Sequence, residues 1–177
     1  ISLLYVSPFY HYKHQIEVIK AVEILKNSDA FDVRLNLIGG GDSSGASMIK
    51  NYVIEQNLQE FVAIEGSIND VDLLWAYRNA DIFIFASSCE TFGITLLEAM
   101  GARLPIACSN RSGLPDILKD GGIYFDPEDP NSISRALKDL ICDIGLREIL
   151  GERAYRYSLD YTWERCASQT FSFIKNL

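Results

Sequence analysis

Two carboxylates, Glu90 and Glu98, flank the stretch Thr91-Phe92-Gly93-Ile94-Thr95-Leu96-Leu97. Carboxylates accept hydrogen bonds from hydroxyl groups, so what lies between the two decides whether they can share a ligand. Just upstream, Ile82-Phe83-Ile84-Phe85-Ala86 is a continuous apolar, β-prone run, the pattern of a strand buried on both faces of a parallel sheet. Ser87, Ser88 and Cys89 break that run, and Ile94, Leu97 and Met100 then recur at helical spacing over residues 92–101. The order strand, loop, helix puts the loop at the carboxyl end of the sheet. The first amides of the helix, on Gly93, Ile94 and Thr95, have no partners within it and carry partial positive charge. Such an end suits an anion: Gly93 has no side chain to hold a phosphate off the backbone, and Thr95 adds a hydroxyl. Glu98 falls about 7 Å further along the helix axis, roughly the reach from a diphosphate to a ribose. Glu90 precedes the helix, so an anion bound there has a carboxylate on each flank, each suited to sugar hydroxyls.

The rest of the chain supplies the elements that would position these groups. Residues 2–7 form an apolar strand, and the loop after it ends at Lys13. Val18, Ala21, Val22 and Leu25 then mark an amphipathic helix over residues 14–26. A lysine at the positive end of a helix either faces water or faces an anion, and an anion offsets the unfavourable dipole. His11 and His14 have no third ligand nearby and read as a loop pair rather than a metal site. A second strand, 33–38, runs into Gly39-Gly40-Gly41-Asp42. This is not a Walker loop, since Ala46 follows Gly45, and the dinucleotide fingerprint fails at Ser44. The turn is either plain or a place where backbone approaches a ligand.

After a helix over 46–57, a third strand at 61–64 ends at Glu65-Gly66-Ser67, and Asn69 or Asp70 caps a helix through Tyr77. Val71, Leu74 and Trp75 are its expected buried side, with Trp75 in the core. The fourth strand, 82–86, opens the central unit. A fifth strand at 105–108 leads into a loop over residues 109–115 that holds Arg111 and Gly113. A sixth strand at 122–125 precedes helices over about 131–142, 146–157 and 162–174. Strands alternating with helices predict right-handed crossovers and one α/β domain over residues 1–177: a Rossmann-like three-layer sandwich with a six-stranded parallel sheet and added C-terminal helices.

The run Glu90-Thr-Phe-Gly-Ile-Thr-Leu-Leu-Glu98-Ala-Met, joined to the buried strand before it, resembles the E-x7-E signature of the group 1, family 4-like retaining glycosyltransferases. The resemblance extends over residues 6–163. It implies the carboxyl-terminal, donor-binding domain of a two-domain GT-B enzyme that binds a UDP- or GDP-linked sugar. Lys13 and the amides of Gly93 and Ile94 would hold the diphosphate, Glu98 the ribose and Glu90 the donor sugar, with Lys13 and Glu90 counted as catalytic. Thr95, Phe92, Gly40 and Gly66 would complete the donor contacts, Gly66 near the base. The resemblance implies no metal and no further cofactor. In such enzymes the leaving diphosphate takes the acceptor's proton, and protein groups stabilise its charge. A glycan, lipid or small-molecule acceptor, as in polysaccharide biosynthesis, would sit on an amino-terminal domain outside this chain, which alone would be inactive.

Three positions depart from the family pattern: Pro8 where an arginine is usual, Arg103 where a small residue is common, and Asp116 in place of Glu. The competing readings are a nucleotide-sugar epimerase-like domain and a non-catalytic α/β module with solvated carboxylates.

Bulk properties agree with a local anion site rather than a polymer surface. The formal charge is −8, with 16 Lys and Arg against 24 Asp and Glu, which argues against a nucleic-acid partner. With 48% hydrophobic and 23% charged residues, the chain has the composition of one globular core. Cys89, Cys108, Cys142 and Cys166 form no CxxC pair or metal spacing. No run is long enough for a membrane span and no signal peptide opens the chain. Together these predict a reduced, cytoplasmic domain that reaches a membrane only through the missing half. The start at Ile1, inside a strand, reads as a domain cut from a longer protein.

Overall fold

In the computed structural model, residues 1–29, 31–40 and 43–176 are described. Gly41 and Asp42 of the glycine turn lie outside the described residues. Six parallel strands form one sheet: β1 (Ser2–Val6), β2 (Arg34–Ile38), β3 (Val62–Glu65), β4 (Ile82–Phe85), β5 (Ile106–Ser109) and β6 (Gly122–Phe125), in the spatial order β3-β2-β1-β4-β5-β6. The connecting helices are α1 (Gln15–Asp29), α2 (Ser43–Glu55), α3 (Asp70–Asn79), α4 (Ile94–Gly101) and α5 (Leu114–Leu118). They are followed by α6 (Pro130–Cys142), α7 (Ile144–Ser158) and α8 (Trp163–Lys175). Strand order reverses between β1 and β4, and right-handed crossovers then place the helices of the two halves on opposite faces. Accordingly α1 packs on α2 and α6, while α4 packs on α7. The three-layer, Rossmann-like expectation holds.

The continuous apolar runs explain the centre of the sheet. All four residues of β4 and of β5 are buried, and β1 is buried from Leu3 onward. Tyr5 meets Phe85 edge-on at 6.2 Å between centroids, joining β1 to β4 at the point of reversal. Open α/β sheets bind ligands outside the carboxyl ends of their strands at such a switch point. The loops that follow β1 and β4 are the ones that carry Lys13 and Glu90.

Three local expectations are corrected. Val71, Leu74 and Trp75 do not face the core: Trp75 is 67% exposed, and α3 buries Tyr77 with Leu73 and Ala76 packed beside it. In α4 the buried stripe is Leu96, Ala99 and Met100, whereas Ile94 is exposed. The stretch after Gly113 is not all loop, because Pro115 sits in the first turn of the short helix α5, where its missing N–H costs nothing.

The chain closes on α8, whose start is capped by Thr162 and which buries none of its residues among those described. Trp163, Phe171, Phe173 and Ile174 all lie open on it.

Candidate functional site

A cleft of about 1250 Å³ opens at the switch point. One side is formed by Ser7, Pro8 and Lys13 after β1, and the floor by Phe85 and Gly93. The other side is the start of α4 with Glu90, Phe92, Ile94, Thr95 and Glu98. The approach to α8, including Tyr161 and Trp163, completes it, as does Lys119. Seven of the residues singled out from the sequence therefore share one cavity. Gly40 and Gly66 do not line it. Gly40 lies against Ser67, whose Oγ occupies the space a Cβ would need, and Gly66 has open space around it.

Lys13 is buried, not a surface lysine. A single 3-10 turn, His11–Lys13, brings it inward, and the Tyr5 hydroxyl donates to its carbonyl at 2.7 Å from inside the sheet. Its ammonium donates to Glu90 Oε1, with the side chains only 8% and 14% exposed, and stands 5.6 Å from the Phe85 ring centroid. An anion does face Lys13, as the dipole argument required, but it is the protein's own carboxylate. The next residue, His14, adopts a left-handed conformation (φ 51°), and its Nε2 lies 2.8 Å from Ser88 Oγ. Burial lowers the His14 imidazole below its ordinary range, so the ring that ties the two loops together is neutral at neutral pH. Gln15 donates to Ser7 Oγ at 3.0 Å and to the Pro8 carbonyl at 2.8 Å, fixing the first loop from behind.

Gly93 is the N-cap of α4 with φ 88° and ψ 65°. A Cβ there would lie 3.3 Å from both Leu114 and Phe85, and the left-handed conformation penalises any side chain besides. Among the described residues, the amides of Gly93, Ile94 and Thr95 donate to no protein acceptor; the ladder begins at Leu96, bonded to the Gly93 carbonyl at 3.1 Å. The positive end of the helix is therefore open toward the cleft. One turn on, Glu98 accepts a hydrogen bond of 2.8 Å from the Tyr77 hydroxyl. Sequence reasoning missed this partner.

Of the other cations, Arg103 and Arg111 are engaged elsewhere, whereas Lys119 and Arg165 line the cleft, Arg165 donating to Asp160 Oδ1 at 3.0 Å. Arg111 donates twice to Asp126, at 3.1 and 3.2 Å, and Arg103 lies 4.0 Å from the Tyr155 ring centroid with Glu152 beside it. Neither lines the cleft, so Arg103 has no contact with the space a donor would fill. Lys119 does line it, 4.6 Å above the Tyr157 ring. Its signal in the sequence was only a lysine beside Asp120-Gly121. Among the described residues no three metal-binding side chains cluster, and His11 meets His14 only ring to ring at 6.3 Å.

The Lys13 contact changes what Glu90 should do. A carboxylate paired with the one buried ammonium of the described cleft competes with any incoming phosphate for it. Glu90→Gln is thus expected to bind a free nucleoside diphosphate about three- to tenfold more tightly than the parent, the size of one charge-assisted contact released. Calorimetric titration with uridine and guanosine diphosphates checks this. A weaker diphosphate complex would mean that Glu90 serves to orient Lys13 rather than to compete with the ligand for it.

Comparison with known proteins adds the following. The family described as glycosyl transferases group 1 matches residues 1–157. O-antigen chain mannosyltransferase B of Escherichia coli is 33% identical over 126 residues, covering 71% of this chain and 33% of that protein. Sucrose-phosphate synthase from Thermosynechococcus elongatus superposes with a TM-score of 0.84 at 27% identity, over 99% of this chain and 45% of that one. The Anabaena protein HepE, solved with UDP and glucose, superposes with a TM-score of 0.86 at 18% identity, over 99% of this chain and 48% of that one. The chain spans less than half the length of the curated relatives it matches first.

Proposed function

This chain belongs to the group 1 glycosyl transferases, and from that premise we propose that its cleft binds the nucleoside-diphosphate part of a sugar donor, as the carboxyl-terminal half of a two-domain, retaining enzyme. The observation that carries the reading is that the buried ammonium of Lys13 and the unpartnered first amides of α4 open onto one cavity. A diphosphate needs both a compact cation and convergent N–H donors, and a helix start behind a strand supplies the second at no reorganisation cost. The volume, about 1250 Å³, leaves room for a nucleotide with its sugar. HepE was solved with UDP and glucose on the same fold, which makes uridine diphosphate the natural first probe and guanosine diphosphate the second.

In this reading Lys13 and the amides of Gly93 and Ile94 neutralise the diphosphate as the bond to the sugar breaks. The developing charge is stabilised electrostatically, and the departing phosphate oxygen takes the proton of the acceptor hydroxyl. Glu90, at the cleft beside Lys13, receives donor sugar hydroxyls, while Glu98 receives the ribose. Phe92 and Thr95 close the walls around the phosphates. Gly40 and Gly66 stand outside the cavity, so their part is limited to loop geometry near the base. No metal or separate cofactor is required. The acceptor, whether glycan, lipid or small molecule, is held by a domain beyond this chain, and the chain alone transfers no sugar.

Binding should be measurable without that domain, because the groups invoked all lie between Lys13 and Glu98. Titration of the chain with uridine or guanosine diphosphate is expected to give a calorimetric signal at or below millimolar concentration. Silence from both would favour a non-catalytic module. No observation favours the epimerase-like alternative.

A further inference from the structure

Glu98 is exposed at the edge of α4, where a glutamate ordinarily samples several rotamers. Its neighbour across the cleft edge is not solvent but a phenol anchored in the core. Tyr77, on α3, is 4% exposed, and its ring lies 5.8 Å from that of Phe83. The hydroxyl reaches Glu98 Oε2 at 2.8 Å and stands 3.4 Å from the Thr95 carbonyl, one turn back on the same helix. One O–H can donate only once, and the shorter, charge-assisted contact takes it. Oε1 of Glu98 remains free of protein partners among the described residues.

We propose that Tyr77 is a positioning residue that clamps one oxygen of Glu98 so that the other is held ready for the ribose hydroxyls of the donor. This rests on the reading of Glu98 given above. The clamp works by preorganisation: the rotamer freedom that Glu98 would lose on meeting a ribose is already lost in the empty protein. It also sets a preference, because a carboxylate held at the cleft edge favours a ligand bearing adjacent hydroxyls and is left unpaired by one that lacks them. Burial and the adjacent Glu98 carboxylate push the Tyr77 phenol well above its ordinary range, so at neutral pH it is protonated and a donor.

Tyr77→Phe tests the proposal, since it keeps the ring against Phe83 and removes only the donor. Parent, Tyr77→Phe, Glu98→Gln and the double variant are titrated with uridine and guanosine diphosphates and with their 2′,3′-dideoxy forms, and each is checked for an unchanged melting temperature. Tyr77→Phe is expected to bind the ribose form about three- to tenfold more weakly and the dideoxy form as the parent does, with the loss much reduced once Glu98 is already changed. Equal weakening for ribose and dideoxy forms would reduce Tyr77 to a structural part and overturn the proposal. So would an unchanged Tyr77→Phe beside a weakened Glu98→Gln, which leaves the ribose reading intact. If Glu98→Gln itself has no effect, the ribose reading fails and the clamp with it. A melting temperature lowered by many degrees is met with Tyr77→Met: weakening confined to the ribose form there supports the clamp, and weakening of both forms overturns it.

Discussion

Replacing Lys13 by alanine is expected to weaken nucleoside diphosphate binding about ten- to a hundredfold, the loss of a partly desolvated, charge-assisted contact of roughly 1.5 to 3 kcal/mol. Pro8 carries no charge and Arg103 and Arg111 are committed outside the cleft, which leaves only the exposed Lys119 and the Asp160-bonded Arg165 as further cations lining it among the described residues. The loss should track charge: the diphosphate should suffer more than the matching nucleoside, which has no phosphate to lose. Folding should suffer too. Lys13 and Glu90 neutralise each other with side chains only 8% and 14% exposed, and deleting one partner leaves the other charge buried and unpaired, a penalty of about 3 kcal/mol. Pairing Lys13→Ala with Glu90→Gln should restore much of that stability while leaving diphosphate binding weak. Isothermal titration and urea unfolding separate the two effects. Diphosphate affinity equal to the parent's would sink the assignment and make Lys119 or Arg165 the candidate cation, since both also line the cleft.

Gly93→Ala is expected to have the second-largest effect. A residue with a Cβ at φ 88° pays about 1 to 2 kcal/mol for the left-handed backbone. The new methyl would also press on Leu114 and Phe85 at 3.3 Å. Relief requires rotating the peptide that carries the Ile94 amide, which disorganises the donors that converge on the anion. Stability should therefore fall by about 1 to 3 kcal/mol, and diphosphate affinity by about tenfold, the worth of a displaced charge-assisted contact. The comparison that decides is with Gly101→Ala in the same helix, where a Cβ meets nothing within 4 Å. If both substitutions left binding untouched, the start of α4 would not be the phosphate site.

Much of this was legible in the chain before any coordinates. Buried parallel strands announce themselves as continuous apolar runs, and β4 was unambiguous for that reason. What failed was phase. Two stripes compete over α3 and its C-cap: Val71, Leu74, Trp75 and Arg78, or Leu73, Ala76, Tyr77 and Ala80. The second is apolar throughout while the first ends on an arginine, yet the bulk of Trp75 outweighs that cue when side-chain size is counted. The face so favoured leaves out Tyr77, and with it the partner of Glu98. In α4 apolar side chains stand on both sides of Thr95 and of Glu98, so periodicity does not tell Ile94 from Leu96. Pro115 read as a loop residue because a proline that starts a helix and one that interrupts it look alike over five residues. The ion pair of Lys13 with Glu90 had no local signal at all. Its members are 77 residues apart and meet only because β1 and β4 are neighbours.

That separation carries a thermodynamic consequence. Two βα arms meet at the seam between β1 and β4, and the cleft lies across their junction, with Lys13 on one bank and Glu90, Gly93 and Glu98 on the other. A ligand gripping both banks can bind only while the arms are docked, so its binding energy is added to whatever resists their parting. At a hundred times its dissociation constant such a ligand contributes about 2.7 kcal/mol, comparable to a disulfide across the same seam but present only when the ligand is. The chain is then most cohesive when loaded, and release of the ligand also slackens the join between its halves.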